Sequence, residues 1–264
     1  MKDLAAALSR AGIEPGSLHQ LFEHTGEAIH AVEVDAARAV ETWRRLRPSL
    51  AECGHVPVLL GDQLDRIIEQ ACERPSASRE CLAEVAKTAA PRAQPQKFDH
   101  LRRLGPRGER MADLMAKLVA EAPSPKPEET TADETWPDET VPPLPSLEVL
   151  RSRTRISIAL VPATQTWQVP IFMWFGGFNE CPWPARHATL LRDWQARFGA
   201  ELIALTTDTL ELAVSRPPTT RVDALALARE QYAYCTDIVD QGTQTVGRLA
   251  ASVLDAPYWF FWWD

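Results

Sequence analysis

The last seven residues of this chain, Tyr258-Trp259-Phe260-Phe261-Trp262-Trp263-Asp264, constrain its fold more than any other stretch. In a strand, Tyr258, Phe260 and Trp262 point one way and Trp259, Phe261 and Trp263 the other. Chain ends are ordinarily frayed and polar. An end that is aromatic on both faces is stable only inside a sheet covered on both sides. Burying a large aromatic contributes about 1.5–3 kcal/mol, so six together outweigh the fraying of a terminus.

The 264 residues suffice for one large domain or two small ones, and 45% of them are apolar, as in ordinary globular proteins. The sequence holds no apolar run of membrane-spanning length, and its start lacks the pattern of a secretion signal. A cytoplasmic protein with reduced thiols is expected. Cys53, Cys72, Cys81, Cys181 and Cys235 form no Cys-x-x-Cys pair and read as buried small hydrophobes.

The net charge of −8 is unevenly placed. Residues 121–146 carry seven acidic residues, one basic residue and seven prolines. Such a stretch cannot bury enough apolar surface to offset its ordering entropy, and reads as an extended or disordered linker between regions 1–120 and 147–264. Trp136 within it is expected to dock onto a folded part. Neither flanking region has the basic excess of a nucleic-acid binder. The cluster from His100 to Arg110 reads as a solvated surface.

The first region reads as mostly helical. It has a helix over 3–11, a strand from Ile29 to Val34, and a helix capped by Asp35 and stopped by Pro48. A strand from Val56 to Leu60 then completes a β-α-β unit with parallel strands. Asp62 is placed to cap a helix bearing Leu64, Ile67, Ile68 and Ala71. Two further helices are predicted over 78–89 and 108–120.

After the linker come a strand over Arg155–Val161, an extended Trp167–Phe175 and a helix from Pro184 to Phe198. Two strands are joined near Asp208. Helices follow over Arg221–Cys235 and Thr243–Leu254, and then the aromatic end. The order β-α-β-β-α-β is that of a ferredoxin-like unit. The predicted class is therefore α+β, with a C-terminal ferredoxin-like sheet layer beside a mostly helical N-terminal half. Because ferredoxin-like helices cover one face, the N-terminal half or the Trp167–Phe175 segment should cover the other.

Several motifs are distinctive: Gly176-Gly177-Phe178-Asn179-Glu180-Cys181-Pro182-Trp183-Pro184, Asp208-Thr209-Leu210-Glu211, Arg229 through Cys235, Asp237 through Gly242, and the Trp-rich end. Together they resemble a bacterial family known as domain of unknown function 4253. The resemblance is strong over about 155–264 and weak over about 43–61. It implies a fold and no reaction.

Cys181 precedes a helix N-terminus, where a thiol is acidified. His187 lies one turn inside, so a Cys–His pair oriented by Asn179 or Glu180 is geometrically allowed. The competing reading is a rigid turn with a buried thiol and a core histidine. Tyr232, Tyr234, Asp237, Asp240 and Gln241 form a second polar cluster, an acid/base or cation site on one reading and helix caps on the other. Asp208 reads as a turn residue. Glu211 alternates with Leu210 and Leu212, so on a covered face it needs a partner such as Arg216 or Arg229, and a buried carboxylate near Tyr232 would be a functional candidate. Trp183 joins Asn179, Glu180, Glu211, Tyr234 and Gln241 as a candidate ligand contact. His19/His24 and Cys53/His55 lack the companion ligands of a zinc site. No phosphate-binding glycine motif occurs. No metal or cofactor is expected.

Three functions follow. The first is a non-enzymatic module binding a partner protein, in the manner of an immunity or accessory protein, and the aromatic content favours it. The second is an enzyme with a Cys/His or Asp/Tyr site in a cleft between the two halves. The third is a sensor whose aromatic cluster stacks a planar ligand.

Overall fold

The computed structural model describes residues 2–24, 27–61, 64–72 and 133–264. The helices expected over 78–89 and 108–120, the Asp62 cap, the basic cluster at 100–110 and linker residues 121–132 lie outside these residues.

Short apolar or alternating segments assemble into an α+β fold on a seven-stranded mixed sheet. Strands β1 (His19–His24), β2 (Glu27–Asp35) and β3 (Val56–Leu60) precede the acidic segment. Strands β4 (Arg155–Val161), β5 (Ala200–Leu205), β6 (Thr209–Val214) and β7 (Tyr258–Trp262) follow it. The spatial order is β1-β2-β4-β3-β5-β6-β7. The β3–β5 pair is parallel and the other neighbours are antiparallel. β2 and β3 both run antiparallel to β4, so they are parallel to each other, as expected of their β-α-β unit, with β4 inserted between them.

The ferredoxin-like arrangement is not the one formed. β3 separates β4 from β5, while β5, β6 and β7 follow one another as an antiparallel meander. The cause lies in β3: Val56-Pro57-Val58-Leu59-Leu60 is buried at every position. A strand apolar on both faces takes a central place, and the turn at Thr206–Thr209 keeps β6 beside β5.

Helices α1 (Lys2–Arg10) and α2 (Ala39–Ala51) cover one face. Leu4, Leu8, Trp43, Leu46 and Leu50 pack on Val32, Leu59, Ile156, Ile158, Leu160 and Ile203. Helices α3 (Leu64–Cys72), α4 (Val169–Phe172), α5 (Pro184–Phe198), α6 (Arg221–Tyr234) and α7 (Val246–Val253) lie on the other face. That core gathers Ile67, Phe172, Trp194, Leu227 and Leu249 over Val58, Val161, Leu202, Leu212, Trp259 and Phe261. The N-terminal part thus supplies the second cover, and Trp167–Phe175 joins the first.

The aromatic end is interior on one side and mostly so on the other. Trp259, Phe261 and Trp263 are buried, as is Phe260, whereas Tyr258 and Trp262 are half-buried. β7 sits at the sheet edge rather than within it.

Two local expectations are corrected. Asp35 does cap, accepting the Ala37 N–H at 2.9 Å, but it opens a short 3-10 turn, and α2 then runs through Pro48 to Ala51. A proline inside a helix costs about 3 kcal/mol; burial of Leu46 and Leu50 on the sheet offsets this. Trp167–Phe175 is not extended: a 3-10 turn over Thr166–Gln168 leads into α4. Pro170 suits a first helical turn, and a central strand would have lacked its N–H. β1 was not anticipated, because His19-Gln20-Leu21-Phe22-Glu23-His24 has little alternation.

Candidate functional site

Pro184 opens α5 and Gly199, at φ 60°, closes it, which sets the facing of the stripe His187, Leu191 and Trp194 toward the core. Gly176 (φ 105°) lets the preceding loop fold against that stripe. A Cβ there would meet the Pro182 carbonyl at 1.9 Å and His187 Nε2 at 2.7 Å. The loop therefore delivers Cys181 Sγ to 3.5 Å from His187 Nε2. On the opposite side of the imidazole, Tyr234 Oη from the end of α6 lies 2.5 Å from His187 Nδ1. The sequence allows either a Cys181–His187 pair or a buried thiol beside a core histidine; the structure brings the two side chains together in the interior, with Tyr234 rather than Asn179 or Glu180 as the second neighbour of the imidazole. Asn179 and Glu180 are exposed.

The three groups are enclosed by rings. Phe175 lies 4.9 Å and Trp263 5.3 Å from the His187 ring centroid. Phe261 packs edge-on against Tyr234 at 5.1 Å and stacks on Trp194 at 5.5 Å. His187 has no exposed surface, and Cys181 and Tyr234 are buried. Burial holds the imidazole down at about 3 and pushes the Tyr234 phenol well above its ordinary value. His187 is therefore neutral near pH 7, one ring nitrogen donating and the other accepting, and it supplies no imidazolium to activate the thiol. Arg186, next along α5, is mostly withdrawn from water, and burial lowers its pKa.

The second cluster disperses into structural contacts. Tyr232 Oη donates to Asp240 at 3.0 Å. Asp237 accepts from Gln241 Nε2 at 3.2 Å and from the Asp264 N–H at 2.9 Å. Neither aspartate caps the next helix: residues Ile238–Thr243 form a π-helical turn, and Thr245 caps α7 by accepting the Arg248 N–H at 3.1 Å. Asp208 is a turn residue, accepting from Thr206 at 2.9 Å. Trp183 is half-buried and packs edge-on to Trp174 at 6.2 Å.

Glu211 is buried, as alternation required, but not against an arginine. Its carboxylate accepts the backbone N–H groups of Leu147 and Val149, the latter at 3.3 Å. Arg216 instead donates to the Ala196 carbonyl at 2.8 Å, and Arg229 pairs with Glu134. Burial outweighs the two N–H donors and pushes Glu211 up to about 7. The sequence carries no signal for this partner, because backbone amides are everywhere.

A cleft of about 390 Å³ does open between the two parts of the chain. None of the residues anticipated from sequence lines it. Arg44 and Arg47 of α2 face Thr164, Gln165, Gln195 and Glu201 across it. Arg47 is ion-paired to Glu201, and Gln195 Nε2 donates to Gln165 at 2.9 Å. Both arginines lie in the stretch 43–61, over which the family resemblance is weak. Among the described residues, no three of His, Cys, Asp or Glu gather closely enough to hold a metal ion, and no helix is long and apolar enough to cross a membrane.

Residues 157–264 match the family described as domain of unknown function (DUF4253). No curated protein and no solved structure matches the chain.

Proposed function

We propose that this chain, whose C-terminal part is a DUF4253 domain, is a cytoplasmic protein-interaction module, in the manner of an accessory or immunity protein, that binds its partner across the Arg44/Arg47 cleft. The carrying observation is the division of labour among polar groups. The open cleft presents the Arg44 guanidinium, the Arg47–Glu201 ion pair, amides and hydroxyls, which suit recognition by exchange of a partner carboxylate for Glu201, while the Cys181–His187–Tyr234 set is packed beneath rings. Arginines at such a site recognise carboxylates through paired N–H donors.

The test is affinity capture from the native host with the wild-type chain and with an Arg44→Glu/Arg47→Glu variant of unchanged thermal stability. A stoichiometric partner held by the wild type and lost from the variant is expected. Equal capture by both, or none by either, overturns the assignment to this cleft.

One observation favours an enzyme instead. Sulfur, imidazole and phenol stand in the order nucleophile, base, orienting group. Thiol labelling separates the readings: as part of a closed core, Cys181 stays unmodified by iodoacetamide until the protein unfolds. Labelling in the native state at the rate of a free thiol would favour the enzyme.

A further inference from the structure

The acidic segment after residue 132 forms neither helix nor strand until the 3-10 turn at Glu148–Leu150, yet it is fastened along its length. The Asp133 carbonyl accepts the Gly247 N–H at 3.1 Å, capping the first turn of α7. Gly247 makes that approach feasible, since a Cβ there would lie 1.9 Å from the Thr135 carbonyl oxygen. Glu134 receives two N–H bonds from Arg229 of α6, at 2.6 and 2.5 Å, and the guanidinium holds its carboxyl below the usual range. Arg221 lies 4.8 Å over the Trp136 ring, and Trp136 and Leu144 pack against the core. Arg248 pairs with Glu139. The strap then crosses to the second hydrophobic core, where Leu147 packs and donates to Glu211.

Three arginines on two adjacent helices thus meet one acidic, proline-rich segment with a tryptophan anchor. The contacts are those by which charged and aromatic peptide motifs are recognised between chains. The ion pairs are about half-exposed, with side-chain exposures of 51% and 35% for Arg229 and Glu134, so each adds only modestly to stability. Such a contact is exchangeable.

We propose that the Arg221/Arg229/Arg248 surface is a docking site for an acidic, proline- and tryptophan-containing segment of a partner protein, and that residues 133–147 occupy it in cis as a competing ligand. The site is separate from the Arg44/Arg47 cleft and does not depend on it. Tethering gives the strap a high local concentration, so a partner's affinity is reduced by the fraction of time the surface is free.

The probe is a fluorescein-labelled synthetic peptide of residues 133–147, titrated by anisotropy against full-length chains. A Glu134→Ala/Trp136→Ala/Glu139→Ala chain should bind it about tenfold more tightly than wild type, as expected when a strap closed about 90% of the time is released. Adding Arg229→Glu should abolish binding, as should about 0.5 M salt. Arg44→Glu/Arg47→Glu should leave it unchanged, which separates this site from the cleft. If the triple variant does not fold, Glu134→Ala alone should shift affinity the same way by about threefold. Limited proteolysis should show cleavage within 133–147 rising in the variants. Equal peptide binding by wild type and the strap variants, no binding by a variant whose strap is cut, or resistance of the strap in every strap variant overturns the proposal. So does dimerisation of the variant in place of peptide capture, which would assign the surface to a second copy of this chain.

Discussion

Tyr234 Oη sits 2.5 Å from His187 Nδ1, 47 residues away in sequence and inside a ring of aromatic side chains. This contact satisfies both buried polar groups at once. Tyr234→Phe leaves the imidazole nitrogen without its partner, and the expected loss of stability is about 1–3 kcal/mol. The His187→Phe/Tyr234→Phe pair should cost less than the sum of the single changes, because both remove the same bond. Urea unfolding of the four proteins measures this. Additive losses would show that the contact carries no coupling.

The pH dependence of stability follows from two buried groups with opposite signs. His187 has a folded value of about 3 against 6.5. Its contribution is complete above about pH 6.5 and falls as the unfolded chain takes up a proton that the folded chain refuses. Glu211 has a folded value of about 7 against 4.5. Its contribution is complete below about pH 4.5 and is lost as pH rises through 7. Between these limits the two slopes oppose each other. Glu211→Gln removes one, so between pH 6.5 and 4.5 the variant should lose about 1 kcal/mol per pH unit relative to wild type. Urea midpoints across this range test it, and parallel profiles would contradict it.

Glycines 54 and 176 both adopt positive φ, at 71° and 105°, but in different surroundings. A Cβ on Gly54 meets nothing within 4 Å, so Gly54→Ala should cost about 1–2 kcal/mol of backbone strain alone. At Gly176 the Cβ would collide with the Pro182 carbonyl and the His187 ring, and the change should cost about 3 kcal/mol or more. Thermal melts of the two variants check the ranking. Equal losses would mean that the loop over His187 is more compliant than its packing implies.

Much of the secondary structure was legible because its signals are local. Pro184 and Gly199 bracket α5, Thr220 caps α6 by accepting the Asp223 N–H at 3.1 Å, and Thr209 begins β6. The approach of Cys181 to His187 was allowed by a spacing of six residues across one helix N-terminus, but so was a buried thiol beside a core histidine, and both side chains are in fact buried. The interior position of Trp259, Phe261 and Trp263 followed from alternation. The helical course of Trp167–Phe175 was missed because an apolar run without a clear period suits either conformation.

Local chemistry in the chain thus set many of the ends of helices and strands, though not the end of α2 or the course of Trp167–Phe175, and set which faces must be covered. Tertiary structure alone decided the strand order, the insertion of β3 between β4 and β5, the pairing of Glu211 with amides at Leu147 and Val149, and Tyr234 as the partner of His187. The physical reason is range. Caps, turns and periodicity act over a few residues, whereas the satisfaction of a buried carboxylate or imidazole depends on whichever donor the packed chain brings within hydrogen-bond distance, however remote in sequence.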